Sequence, residues 1–367
     1  MKPYFSEAYG NPSSVHRFGR DAENVVEEAR RTMAKIFSCK PKEVVFTSCG
    51  SESDNLAIRG LALAAKKAGK GRHIITSPQE HSAVSRTVEQ LVDLFDFEAT
   101  FLPVDENGHI SPEVLREAMR EDTVLVSLML ANNEIGTILP IRELAEVARK
   151  HNALFHTDAV QAAGQLDLDV EALGVDALSV SAHKFYGPKG VGALYVREGL
   201  DLVPSQTGGS HEEARRAGTH NVPLIVGMAE ALRLADVEQD KWVPHFTALR
   251  DRLIEGILGS IPDAELSGSR EERLPSHASF MLQNINGNTL LMHLDMKGIA
   301  ASSGSACKTG NPTPSGVLLA MGYDESWALG GLRLTVGRHT RHDDIDYVLD
   351  VLPTIVENVR KFSAVSA

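Results

Sequence analysis

The chain has 367 residues, 43% hydrophobic and 23% charged, with 37 Lys and Arg against 49 Asp and Glu for a formal charge of −12. That balance is too polar for a membrane protein and too apolar for a disordered one. Without a dense Lys/Arg cluster it also argues against a nucleic-acid or anionic-membrane partner. Three cysteines, an odd and sparse set, argue against a disulfide framework and for a reducing, cytoplasmic setting. The opening residues Met1–Phe5 carry no apolar signal-peptide core. The longest apolar run, 124–131, is only strand length and includes Ser127.

Helical and strand patterns alternate from residue 21. Val25, Val26, Ala29, Met33 and Ile36 form one stripe of a first helix, followed by a strand at 43–48 and a helix at 51–67. Further strands are expected near 73–76, 99–102, 123–130, 153–157 and 177–180, with helices near 83–94, 112–119 and 141–150 between them. Short apolar strands joined through amphipathic helices predict an α/β fold, a mainly parallel sheet sandwiched by helices. Residues 191–196 follow so closely on another strand that they are expected to pair antiparallel. Beyond about residue 240 the rhythm changes: a helix over 244–258, a strand at 279–282, a helix from 288, a strand near Ile299 and a final helix from His342. The expected organisation is an N-terminal segment (1–20) packing with the small domain, a large domain (21–243) and a smaller C-terminal α/β domain (244–367).

Ligands of open parallel sheets bind beyond the carboxyl ends of the strands. After the first strand, Gly50 and Ser51 open a helix whose free N–H groups suit a phosphate. His81 follows the second strand, and Asn133 follows the strand at 123–130. Asp158 and Gln161 follow the next, and an acidic group there is costly to bury alone. Ser181, His183 and Lys184 follow the strand at 177–180. A phosphate cradle, an imidazole, an amide, a carboxylate and an amine together match the needs of pyridoxal 5′-phosphate, whose aldehyde takes the amine and whose pyridine nitrogen needs the carboxylate. No G-x-G-x-x-G follows a strand, so a dinucleotide fits less well, and no metal ligands are assigned.

Cys39 ends an amphipathic helix and Cys49 sits in the cradle, whereas Cys307 lies in the segment 301–316. Eleven of those sixteen residues are Ser, Thr, Gly or Pro, so the segment is expected to be exposed and mobile, with Lys308 favouring the thiolate. A reactive thiol beside a pyridoxal site suggests attack on the sulfur of a bound amino acid.

The motifs Tyr9–His16, Ser51–Asn55, Asn132–Gly136, His156–Gln161, Ser181–Gly190, Arg216–Thr219, Ser302–Cys307 and Arg333–Gly337 resemble those of cysteine desulfurases, the branch of the class V aminotransferases that supplies sulfur for iron–sulfur clusters. The resemblance implies a fold-type-I-like domain and a catalytic set of Lys184, Cys307 and His81. Lys184 would hold the cofactor covalently, Asp158 would pair with its pyridinium, His81 would stack on its ring and Gln161 would bond its phenolic oxygen. Gly50, Ser51, Ser181 and His183 would hold the phosphate, with Thr219 reaching in from the other subunit of a homodimer. Asn133 and Arg333 would bind the carboxylate of L-cysteine, and Cys307 would pass sulfur to an acceptor or scaffold protein. The family's first strand and its Ala-Ala-Thr-Thr-Pro-like turn have no counterpart ahead of Met1, Cys49-Gly50-Ser51 stands for Gly-Gly/Ala-Thr, and Ser210 replaces a glycine. An aminotransferase, a selenocysteine lyase and an inactive scaffold stay open as alternatives.

Overall fold

The computed structural model describes residues 1–304 and 313–365. The chain divides into two compact units, the first made of Met1–Leu102, Ser111–Leu130 and Pro140–Gln239, the second of Pro103–Ile110, Ala131–Leu139 and the chain from Asp240 onward.

In the first unit α1 (Arg17–Ile36) and β1 (Val44–Thr47) are followed by α2 (Gly50–Lys67), β2 (His73–Thr76), α3 (Ser82–Phe95) and β3 (Glu98–Phe101). Next come α4 (Pro112–Ala118), β4 (Thr123–Ser127), α5 (Ile141–Lys150), β5 (Leu154–Asp158) and α6 (Val170–Leu173). The unit ends with β6 (Ala177–Ser181), β7 (Gly192–Val196) and α7 (Val222–Val237). The strands form one sheet in the order β1-β7-β6-β5-β4-β2-β3. Parallel pairing runs from β3 through β6, and β7 is antiparallel to both β6 and β1, as the short link before residue 191 implied. Because β7 alone is reversed, the carboxyl ends of the other six strands share one edge with its amino end. A Cβ on Gly192 there would stand 2.6 Å from the carbonyl carbon of Cys49, so only glycine lets the turn after β1 cross the start of β7.

Leu56 and Leu61 of α2 and Val84, Val88 and Leu91 of α3 cluster with Val45, Ile74, Leu125, Ala177 and Leu194 of the sheet. The alternate strand residues Phe46, Ile75, Val126 and Leu178 are equally buried, so both faces are covered, as parallel strands require. Residues 1–20 group with this unit rather than with the smaller one, and Met1 lies against Gly227 of α7.

The second unit contains α8 (Gln239–Ser260), β8 (Ala264–Leu266), β9 (His277–Leu282), α9 (Gly287–Asp295), α10 (Gly316–Ala320), α11 (Glu325–Ala328), β10 (Gly331–Thr335) and α12 (His342–Val365). β8, β9 and β10 form an antiparallel sheet with β9 central. Leu249, Leu253 and Ile257 of α8 share a core with Phe280, Leu332, Leu294, Leu352 and Val359. Residues 131–139 belong here because Ile138 donates to the Glu272 carbonyl at 2.9 Å and Arg273 donates to the Ile135 carbonyl at 2.8 Å. The strand expected near Ile299 is absent. Gly298 is left-handed (φ 74°) and the Ile299 amide donates to the Leu294 carbonyl at 3.0 Å, which makes Ile299 the apolar residue that closes the end of α9.

One loop of the first unit is held against its own strain. Glu212, Glu213 and Ala214 all have left-handed backbones, with φ of 51°, 56° and 62°, a conformation that persists only where neighbours fix it. Glu212 supplies the fixing: its buried carboxylate accepts from Arg30 at 2.7 and 2.9 Å, from the Phe46 amide at 3.2 Å and pairs with His220 at 2.6 Å. Burial works to raise its pKa, but His220 and Arg30 outweigh that and hold it at about 2, below the ordinary 4.5. Glu212 is therefore expected to contribute about 3 kcal/mol that is complete above pH ~4.5 and is lost as the pH falls toward ~2. Denaturant unfolding between about pH 5 and 3 should show this slope in the wild type and lose it in Glu212→Gln, and an equal slope in both would refute the assignment.

Candidate active site

The common strand edge of the first unit carries Gly50, Ser51, His81, Asp158, Gln161, Ser181, His183 and Lys184. Cys49 leaves β1 in an extended conformation and caps α2, its Sγ accepting from the Glu52 amide at 3.4 Å. α2 thus begins at Gly50, with its first amide groups at the edge and Ser51 exposed. A Cβ on Gly50 would lie 2.8 Å from Val160 Cγ2 and 3.3 Å from Ser181 Cβ. The helix start, the turn after β5 and the end of β6 are that close. Ser181 Oγ and His183 Nδ1 are 3.0 Å apart. Glu52 accepts from the Ser48 amide at 2.6 Å and from Arg216 at 2.7 Å. Burial would raise the Glu52 pKa, yet Arg216 and Ser48 bring it below its usual range. The pair ties the stretch before Gly218 and the exposed Thr219 to the start of α2.

Asp158 ends β5 almost completely buried, and Oδ1 accepts from the Val160 amide at 2.9 Å. Burial raises its pKa, and the Val160 amide and the charges of His81 and Lys184 pull the other way without cancelling it. Lys184 is exposed in a 3₁₀ turn, Ala182–Phe185, that follows β6 and ends at left-handed Tyr186. His81 caps α3: Nδ1 accepts from the Ala83 amide at 3.1 Å, which leaves the ring proton on Nε2. Gln161 is half-buried beside them.

Behind these groups lies a polar layer that the sequence reading did not assign. His156, two residues before Asp158 on the same strand face, bonds Ser127 Oγ and Ser179 Oγ, both at 2.9 Å, and burial lowers its pKa to about 3. Asp54 of α2 is buried, its Oδ1 without a hydrogen bond and 3.7 Å from His156 Nε2. Its pKa is raised well above the usual value by burial and then by Asp158. Glu80 is buried as well, and burial pushes its pKa up to about 8. These residues lie in Ser51–Asn55, in Glu80-His81 and in His156-Thr-Asp158, stretches from which only Ser51, His81 and Asp158 were read as site residues.

Asn133 and Arg333 belong to the second unit. Arg333 of β10 donates from Nη1 to the Asn133 carbonyl at 2.6 Å. Burial lowers its pKa, with the Glu134 charge opposing. Burial raises the Glu134 pKa, against a 2.6 Å bond from Ser315 and the charge of Arg333. Cys307 lies outside the described residues.

An open α/β sheet whose strand ends assemble a helix N-terminus, a buried carboxyl and a lysine defines a ligand-binding enzyme class, and the comparisons identify the family. The model of the class-V aminotransferases matches residues 1–348, and the chain belongs to that family. It is 48% identical over 363 residues to "Cysteine desulfurase IscS" of Dictyoglomus turgidum, covering 99% of this chain and 91% of that one. To "Cysteine desulfurase IscS" of Methanosarcina thermophila it is 47% identical, covering 99% and 89%. Among solved structures it matches a "NifS-like protein" with a TM-score of 0.90 at 38% identity, covering 98% and 94%. It also matches "SspA in complex with cysteine" with a TM-score of 0.79 at 36% identity, covering 92% and 93%. These relatives bear out the desulfurase resemblance read from the motifs. No helix among the described residues is long and apolar enough to cross a membrane.

The tight contact at Gly50 is directly measurable. Gly50→Ala should lose about 1–3 kcal/mol of stability through overpacking against Val160, and adding Val160→Ala should restore most of it. Additive losses in denaturant unfolding would mean that the two residues do not touch.

Proposed function

We propose that the protein is a pyridoxal 5′-phosphate-dependent cysteine desulfurase, which converts L-cysteine to L-alanine and takes the sulfur as a persulfide on Cys307. The observation that carries the reading is the placement of Lys184 and His81 where both act on the buried Asp158 carboxyl, on the edge that also holds the start of α2. The residues fit the cofactor. A carboxyl whose burial outweighs its hydrogen bond from the Val160 amide calls for a cation such as a protonated pyridine. The amide groups at Gly50 and Ser51, with Ser181 and His183, form a donor set for a phosphate. Lys184 supplies the amine for covalent attachment.

Bound pyridoxal 5′-phosphate supplies an electron sink for charge developing at the substrate Cα. Asp158 would hold the pyridine nitrogen protonated, and His81 and Gln161 would be the groups for its ring and its phenolic oxygen. Lys184 would take the substrate Cα proton and return protons as the product forms. On the second unit, Arg333 as a two-pronged donor and Asn133 take the substrate carboxylate. The Cys307 thiolate attacks the substrate sulfur: the S–S bond forms, the Cβ–S bond breaks with its electron pair left on carbon, and protonation there gives L-alanine. The persulfide then goes to an acceptor protein, and release as sulfide requires a reductant. Thr219 would help hold the phosphate of a second copy in a homodimer that works in the cytoplasm.

The reading is tested by loading the protein with the cofactor and supplying L-cysteine for one turnover. Mass spectrometry should find one added sulfur on Cys307, and Cys307→Ser should keep the yellow cofactor while losing alanine and sulfide formation. Lys184→Ala should lose the colour that borohydride fixes. Full sulfur release by Cys307→Ser, or transamination without persulfide, would overturn the assignment. Arg333→Lys should raise KM for cysteine about tenfold with a smaller change in kcat, since Lys keeps charge but not the fork. An unchanged KM would remove Arg333 from carboxylate binding.

A further inference from the structure

Where β2 ends at Thr76, the chain that leaves its neighbour β4 at Ser127 continues outward. The amides of Leu128 and Leu130 still follow the β5 ladder, donating to the carbonyls of His156 at 3.2 Å and Asp158 at 2.9 Å. The Met129 amide points the other way, toward the side that β2 has vacated. There it meets no strand but the side chain of Glu80: Oε1 accepts from the Met129 amide at 3.1 Å and from Ser77 Oγ at 2.8 Å. Glu80 is 8% exposed, and its Oε2 has no hydrogen-bond partner.

We propose that Glu80 is a positioning residue for cofactor binding, its carboxyl standing in for the missing strand and fixing His81 relative to Asp158. Met129 and Leu130 are adjacent, so one dipeptide carries the Glu80 carboxyl on one side and the Asp158 carbonyl on the other. Glu80 in turn immediately precedes His81, whose ring is aimed by the Ala83 amide of α3. A bond at one amide therefore sets the spacing between the ring-stacking and pyridine-binding groups. The required partner is an acceptor oxygen of the right reach, not a charge. Burial fits that, since it favours the neutral acid, and an ionised Glu80 would face Asp158 and Asp54.

The inference rests on the cofactor reading above and makes a claim about side-chain length. Glu80→Gln keeps an oxygen at the same reach, and its cofactor dissociation constant, followed by the visible absorption of the bound form, should stay within about threefold of wild type. Glu80→Asp keeps the carboxyl but is one methylene short, and should bind the cofactor about tenfold more weakly, the worth of one hydrogen bond to a positioned group. Its bound absorption band should also titrate at a different pH. Circular dichroism on the same samples gives folding and Tm, and Ser77→Ala, a smaller change, should weaken binding in the same direction should Glu80→Asp fail to fold. If the wild type itself takes up no cofactor, the functional reading fails. If the wild type binds while folded Glu80→Asp or Ser77→Ala binds equally well with an unmoved band, Glu80 is merely structural and the inference is overturned. The inference is equally overturned if Glu80→Gln weakens binding as much as Glu80→Asp.

Discussion

Asp158 stands where β5 leaves the sheet, and burial there lifts its pKa against one backbone amide and the nearby charges of His81 and Lys184. A buried carboxyl in that condition is under-compensated, and the fold tolerates it only where a cation can complete the site. The groups behind it do not supply one. Asp54 is itself a carboxyl held toward its neutral form, and His156 is kept uncharged by burial. The hydrogen bonds of His156 to Ser127 and Ser179 close the layer below without neutralising Asp158. The polar layer thus leaves the electrostatic demand facing outward, where Lys184 and His81 stand.

The reversed β7 makes this placement possible. Its pairing with both β6 and β1 brings β1 parallel to the central strands from across the sheet. The start of α2 then faces the same edge as Asp158 and Lys184. The close approach at Gly50 and the crossing at Gly192 follow from packing three strand exits into one place. Anion-binding amides and a buried carboxyl would repel each other's ligands if they held a single charge. In the proposed reading they would serve one molecule that is anionic at one end and cationic at the other.

Much of this was legible in the sequence because strand exits follow period and punctuation. Apolar runs ended by Cys49-Gly50, Glu80-His81, Asp158 and Ser181–Lys184 marked the edge, and the parallel sheet followed from the spacing of helices between them. Tertiary choices were less visible. Residues 131–139 read as part of the large domain, yet they join the second unit through Glu272 and Arg273, more than 130 positions away. A strand was expected near Ile299, although Gly298 makes that residue the close of a helix. Glu80, Asp54 and His156 escaped notice because nothing local distinguishes a surface carboxylate or a satisfied histidine from one buried under a site.

In the second unit Arg333 carries two duties at once. Its guanidinium holds the Asn133 carbonyl, while its backbone exchanges both hydrogen bonds with Ser302, at 2.6 and 3.1 Å. Ser315 donates to Glu134 at 2.6 Å, and a Cβ on Gly304 would meet Ser315 Cβ at 2.7 Å and Glu134 Oε2 at 3.0 Å. The two chain segments that flank residues 305–312 are therefore drawn together at their base and fastened to the residues assigned to the substrate carboxylate. In the proposed reading, changes at Arg333 or Glu134 would bear on substrate binding and on the anchoring of the residues that flank 305–312 together, through one arginine and one half-buried glutamate.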